Sequence, residues 1–160
     1  CDRPDTYAFR STLIPGATLT TTVAGPDEPE GYRTPWDAFP VEWLQTMAKQ
    51  YRELKPYALG DFYPLISFSL ADDVWAAWQF HRADLDSGVI LAFRRQKSPY
   101  PEVRVPLKGV LPNARYRFQS YDGLGTRIWR SGDLTAEGFS ITIGQRPGSR
   151  LFRYELAEKA

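Results

Sequence analysis

The hydrophobic period changes once along this chain, near residues 56–60, and that change limits the fold more than any motif does. Upstream, Val41, Leu44, Met47 or Ala48, Tyr51 and Leu54 recur at helical spacing. Pro40 sits where a helix can begin without losing a hydrogen bond. Pro56 ends it, because the residue before a proline resists the α region. A helix over about 41–55 is predicted. Downstream of Gly60 no helical period appears. Short apolar or aromatic runs recur with Gly, Asp, Asn, Ser and Pro between them. Strands are predicted over 61–69, 74–81, 89–95, 102–110, 114–121, 126–130, 139–143 and 151–156, with 131–138 and 144–149 among the breaks. The segment RADLDSG (82–88) joins two apolar runs and reads as a hairpin turn.

Before the helix the chain is irregular. Pro4, Pro15, Pro26, Pro29 and Pro35 are too frequent for regular elements. One run, ATLTTTV at 17–23, is β-branched and strand-like. The predicted organisation is therefore a strand–helix tail over 1–58, followed by a mainly β module over 59–160. Several short strands with regular turns predict an antiparallel β-sandwich of Greek-key type. A lone strand and helix cannot bury both their faces. They read as the tail of an α/β domain. The chain starts at Cys1 without a Met or a signal-peptide pattern, so a fragment of a longer protein is expected.

Composition removes several function classes. A net charge of +1 supplies no field for nucleic acid or an anionic membrane. No apolar run approaches the roughly 20 residues of a membrane helix. The single cysteine forms no disulfide within the chain and no CxxC metal knuckle, and it leans toward a reducing, cytoplasmic compartment. No cofactor or metal is expected, while an oligosaccharide ligand and a homo-oligomer stay open. No GxGxxG, Walker or GxSxG pattern occurs.

Glycoside hydrolysis needs two carboxylates facing each other across a cleft. Asp72, Asp73, Asp84, Asp86, Asp122 and Asp133 fall in predicted turns, where aspartate side chains bond their own backbone. Asp61 opens a strand and is read as orienting neighbouring backbone. The 84–88 segment has the look of a calcium loop but lacks the distal bidentate glutamate. His81 is the only histidine, at a strand end without a ligand partner, and reads as a packed residue. Trp75 and Trp78 lie three apart in one strand, hence on opposite faces. Both are expected to be buried, one in each of two interfaces. The alternative is a sugar-stacking role for exposed Trp75, Trp78, Tyr63 or Trp129, with Tyr100 and Tyr121 open to the same two readings. One of Arg94 and Arg95 is expected to pair with the acidic turn at Asp72–Asp73.

Three strings occur in order: KPYALGDFYPL (55–65), DDVWAAWQF (72–80) and GVILAFRR (88–95). They resemble the C-terminal part of glycoside hydrolase family 36, the bacterial α-galactosidases, where runs like RPYYxGDFYPLT, D-WxAWQF and GxxxAFRR follow one another. The earlier YAFRSTLIPGATL (7–19) resembles the family's YxFRSxLGP segment at the end of the catalytic barrel. Ile14-Pro15 and Ile66-Ser67 depart from the usual Gly-Pro and Thr-Pro. The resemblance implies that 17–23 is the last barrel strand, 41–55 the last barrel helix and 59–160 the C-terminal sandwich. It also implies a nucleophile aspartate in a KxDxN-type motif and an acid/base aspartate shortly after an SCxSGGxRxD-type motif, and neither motif occurs here. No catalytic residue is therefore assigned. The expected role is a non-catalytic module that caps the upstream barrel of the same polypeptide, whose parent enzyme would hydrolyse terminal α-galactosides with retention.

Overall fold

The computed structural model describes residues 5–13 and 40–159. The strand expected at 17–23 and the proline-rich segment 27–39 lie outside the described residues. A short helix α1 (Thr6–Ser11) is capped by Asp5, whose side chain accepts from the Ala8 N–H at 3.0 Å. Helix α2 (Val41–Leu54) begins after Pro40 and runs into a tight 3-10 turn over Lys55–Leu59 that contains Pro56. Gly60 then lets the chain press onto the sheet. A Cβ there would sit 2.3 Å from the His81 carbonyl oxygen.

The remainder is a β-sandwich. Strands β1 (Asp61–Pro64), β2 (Trp75–Arg82), β3 (Ser87–Arg94), β4 (Glu102–Val105), β5 (Ala114–Ser120), β6 (Thr126–Arg130), β7 (Phe139–Thr142) and β8 (Gly148–Lys159) are separated mostly by turns. They form a six-stranded antiparallel sheet ordered β1-β2-β3-β8-β5-β6 and a two-stranded sheet β4-β7. The last strand returns to the middle of the large sheet, the long return connection that Greek-key patterns use.

Several strands are shorter than the hydrophobic pattern predicts, and prolines explain two of them. β1 stops at Pro64 and β4 at Val105, just before Pro106. Proline has no N–H to continue a ladder. Residues 131–138, expected as a break, contain helix α3 (Ser131–Ala136). β8 starts at Gly148, inside a predicted turn, because Gly148 and Ser149 pair with Arg94 and Phe93 of β3. The β2–β3 hairpin turns through a short 3-10 segment to Asp86, which takes a left-handed φ of 45°.

Pairing fixes the two faces of the large sheet. Trp75, Ala77, Ile90, Ala92, Tyr116, Phe118, Phe152 and Tyr154 point inward, against Val105, Phe139 and Ile141 of the small sheet and Leu134 of α3. Phe80, Val89, Leu91, Phe93 and Leu151 point the other way. They pack under Phe9 and Leu13 of the N-terminal segment, Met47 and Leu54 of α2, and Tyr57. The helix presents Trp43, Met47, Gln50, Tyr51 and Leu54 to the sheet. This differs from the expected stripe at its start, since Val41 is 48 % exposed. Trp43 replaces it, with its Nε1–H donated to Thr6 Oγ1 at 3.0 Å and its ring edge-on to Phe9.

Candidate functional site

Arg10 is the polar centre of the helix-covered face. Its residue is 1 % exposed, yet it carries a charge. A buried charge persists only with partners. Arg10 donates from Nη1 to Asp122 Oδ1 at 2.8 Å and to Ser149 Oγ at 3.5 Å, and from Nε and Nη2 to Gln50 Oε1 at 3.3 Å. The other carboxylate oxygen of Asp122 accepts the Leu151 N–H at 3.1 Å. One guanidinium thus joins α1, α2, the β5–β6 turn and β8. Beside it, Tyr121 donates to Glu53 Oε2 at 2.6 Å, tying the same turn to α2, and burial together with Glu53 raises the Tyr121 pKa. A cleft of about 370 Å³ opens next to this group, lined by Tyr7, Arg10, Asp122, Gln145, Ser149 and Arg150 among others. Sequence reasoning placed Asp122 in a turn, quoted Arg10 only as part of the YAFRS run and left Gln50 unremarked. Their long-range partners leave no trace in hydropathy or spacing.

The aromatic candidates are dispersed. Tyr63 lies on β1 and Trp129 on β6, the two opposite edges of the large sheet, so they share no platform. Trp75 is buried in the inner core and donates its Nε1–H to the Tyr100 carbonyl at 3.0 Å. Trp78 is half-buried on the outer face, stacked on Phe93 at 4.9 Å, and its Nε1 has no partner among the described residues. Tyr63 donates to Asp61 Oδ2 at 3.2 Å. Trp129 packs edge-on to Phe139 under the Arg127 guanidinium. Tyr100 is exposed.

The acidic turns are occupied by local partners. Arg82 grips Asp84 through two bonds of 2.7 and 2.6 Å, and that contact holds the Asp84 carboxyl below its ordinary range. Lys159 lies 3.7 Å from Asp86. The expected pairing of an arginine with Asp72–Asp73 is replaced. Lys97 approaches Asp72 at 3.6 Å, while Arg95 donates to the Ser69 and Ala71 carbonyls at 2.7 and 2.6 Å. Arg94 turns inward and donates to the carbonyls of Ile143, Gly144, Ser98 and Pro99. Carbonyl acceptors in turns are invisible to a reading that looks for opposite charges.

His81 belongs to a buried polar chain. Gln79 Nε2 donates to Tyr154 Oη at 2.6 Å and to the Lys108 carbonyl at 2.7 Å, and its Oε1 accepts the Lys108 N–H. Having accepted from Gln79, the Tyr154 hydroxyl donates to His81 Nδ1 at 2.8 Å. This assigns the histidine proton to Nε2, which has no partner among the described residues. Gly88 makes the contact feasible. It pairs with both His81 and Tyr154 across the strands, and a Cβ there would lie 2.3 Å from the hydroxyl. Burial lowers the His81 pKa, against the pull of Asp61 and Asp86.

Among the described residues, no group of three or more His, Cys, Asp or Glu side chains is arranged to hold a metal ion. The sequence matches no protein-family model and none of the curated proteins. Solved structures do match. The GH36 α-galactosidase AgaA of Geobacillus stearothermophilus, in complex with 1-deoxygalactonojirimycin, superposes with a TM-score of 0.60 at 23 % identity over 78 % of this chain. Its relative AgaB from the same organism gives 0.56 at 25 % identity over 74 %, and the α-galactosidase of Lactobacillus brevis 0.58 at 21 % over 76 %. The fold is that of a segment of the GH36 α-galactosidases. This chain spans only 16 to 17 % of the length of those proteins.

Proposed function

We propose that this chain is a non-catalytic module of a larger GH36-type polypeptide that hydrolyses terminal α-galactosides. Its sandwich would dock onto the catalytic barrel through the outer face of the large sheet, and α2 would be the barrel's last helix. The observation that carries this reading is the composite character of that face. Phe80, Val89, Leu91, Phe93 and Leu151 come from the sandwich, but their cover comes from α1 and α2, pinned by the buried Arg10–Asp122 pair. Apolar burial contributes about 25 cal/mol per Å², so several hundred Å² of such contact is worth several kcal/mol. The fold likeness over about three quarters of the chain supports the same assignment.

Incubating the purified chain with 4-nitrophenyl α-galactoside tests the reading. The expected result is no release of nitrophenol. Turnover that disappears in Asp61→Asn or Asp122→Asn would establish a self-contained active site and overturn it.

A further inference from the structure

We infer that the Asp122–Gly123 bond is a covalent modification site, convertible to an isoaspartyl linkage, which Arg10 keeps latent in the folded chain. The inference goes beyond the docking role and stands without it. Asp122–Gly123 is the one Asp–Gly step in the sequence, and no Asn–Gly step occurs. At such a step the glycine amide nitrogen can attack the aspartate side-chain carbon, because no Cβ shields the nitrogen. A bond from that nitrogen to Cγ forms and a Cγ–O bond breaks. The departing oxygen leaves as water, with the amide proton and one proton from solvent. Water then opens the resulting succinimide ring. Attack at Cγ restores aspartate. Attack at the backbone carbonyl carbon leaves the chain running through the side chain, one methylene longer, with a free α-carboxylate. Nothing is oxidised or reduced, and water is the only co-reactant.

The turn presents the nitrogen and withholds the carbon. Gly123 is exposed, takes a left-handed φ of 76°, and has open space where a Cβ would stand. Its N–H makes no backbone hydrogen bond among the described residues. Asp122 is held at three points instead. Its own N–H donates to Ser120 Oγ at 3.1 Å. Its Oδ1 accepts from Arg10 Nη1 at 2.8 Å, and its Oδ2 accepts the Leu151 N–H at 3.1 Å. Turning Cγ toward the Gly123 nitrogen strains or breaks both carboxylate bonds and strands a buried guanidinium. Leu151 belongs to β8, in the middle of the large sheet, whereas Arg10 belongs to the short helix α1. Arg10 is thus the separable half of the latch. Conversion moves the carboxylate away from the position that Arg10 and Leu151 share, so the modification would also unpin α1 and α2.

The test is ageing of the whole chain for several weeks at neutral pH. Isoaspartate is counted with a protein isoaspartyl methyltransferase and located by peptide mass after Asp-N digestion, since that protease does not cut at isoaspartate. In denaturing urea the linkage is expected at Asp122 at least about tenfold faster than in the folded chain. Without urea, Arg10→Ala is expected to speed it about tenfold. Phe139→Ala separates loss of the latch from general loss of stability, because it weakens the inner face and leaves the Arg10–Asp122 pair in place. Its rate stays below that of Arg10→Ala. The urea comparison needs no variant to fold, so it decides even where Arg10→Ala is unfolded. Equal rates in the folded and the urea-unfolded chain would overturn the proposal. So would an Arg10→Ala rate no higher than that of Phe139→Ala, or isoaspartate that accumulates at other aspartates and not at Asp122.

Discussion

The two faces of the large sheet are buried by different means. The inner face is covered by the sandwich itself, through β4, β7 and α3, and its aromatic rings contact one another directly. Phe139 stacks on Phe118 at 4.6 Å and meets Trp129 and Phe152 edge-on. The outer face is divided. Its β2–β3–β8 half is covered by α1 and α2, segments from a different stretch of chain held by Arg10. Its β5–β6 half is left open by the described residues and carries exposed ion pairs such as Arg117–Glu155 and Arg115–Glu158. The inner face therefore belongs to the fold of the β module. The covered outer face is built like an interface, with an apolar ring around a buried charged pair.

If this contrast is right, the largest loss comes from the inner core. Phe139→Ala removes a ring from three aromatic contacts, and a cost of about 3–5 kcal/mol is expected in urea unfolding. A loss below about 1 kcal/mol would mean that the inner face is not the primary core.

Arg10→Ala should come next, at about 2–3 kcal/mol, since it strands Asp122 beside Gln50. Hydrogen exchange sharpens the comparison. Amides of α1 and α2 should lose protection in this variant while those of β5 and β7 keep it. Uniform loss across both faces would erase the distinction drawn between them.

The polar chain at the sheet end gives a smaller, pH-dependent effect. Tyr154→Phe leaves Gln79 and His81 short of a partner and should cost about 1–3 kcal/mol. Because burial lowers the His81 pKa, the unfolded chain takes up a proton first as pH falls through about 6.5. His81 thus contributes full stability above that value and loses it as pH drops toward the folded pKa. The melting temperature should fall more steeply from about pH 7.5 to about pH 5.5 in the native chain than in His81→Gln. Parallel slopes would remove His81 from the account.

The smallest effect belongs to the open half of the outer face. Arg117→Ala breaks an exposed pair at 3.2 Å and should change stability by less than about 0.5 kcal/mol. A loss comparable to that of Arg10→Ala would show that this half is not a solvated surface.

Much of the fold was legible because period is a local property. The switch from a 3.6-residue repeat to short runs located α2 within one residue and identified the eight described strands by type. The opposite faces of Trp75 and Trp78 followed from strand geometry alone. Strand ends were less legible. Pro64 and Pro106 signalled two of them, but β8 runs into a predicted turn because β3 pairs with its first residues. The helix face was read with Val41 inside, since hydropathy cannot report that Trp43 has Thr6 and Phe9 as partners.

The candidate site was hardly legible. Asp122 looks like any turn aspartate, and Arg10 stands out only as one letter of the YAFRS run. Their bond spans more than a hundred positions of sequence, and no pattern within a window encodes such a contact. The sequence by itself determined helix α2, the β-rich class and the resemblance carried by three ordered strings, but not helices α1 and α3, which fall where it read an irregular segment and a break. Only the tertiary structure decided which sheet face the helix covers, where a charge is buried and which side chains line a cleft. Those depend on the simultaneous placement of distant segments, and burial and pairing energies act between them only after that placement is made.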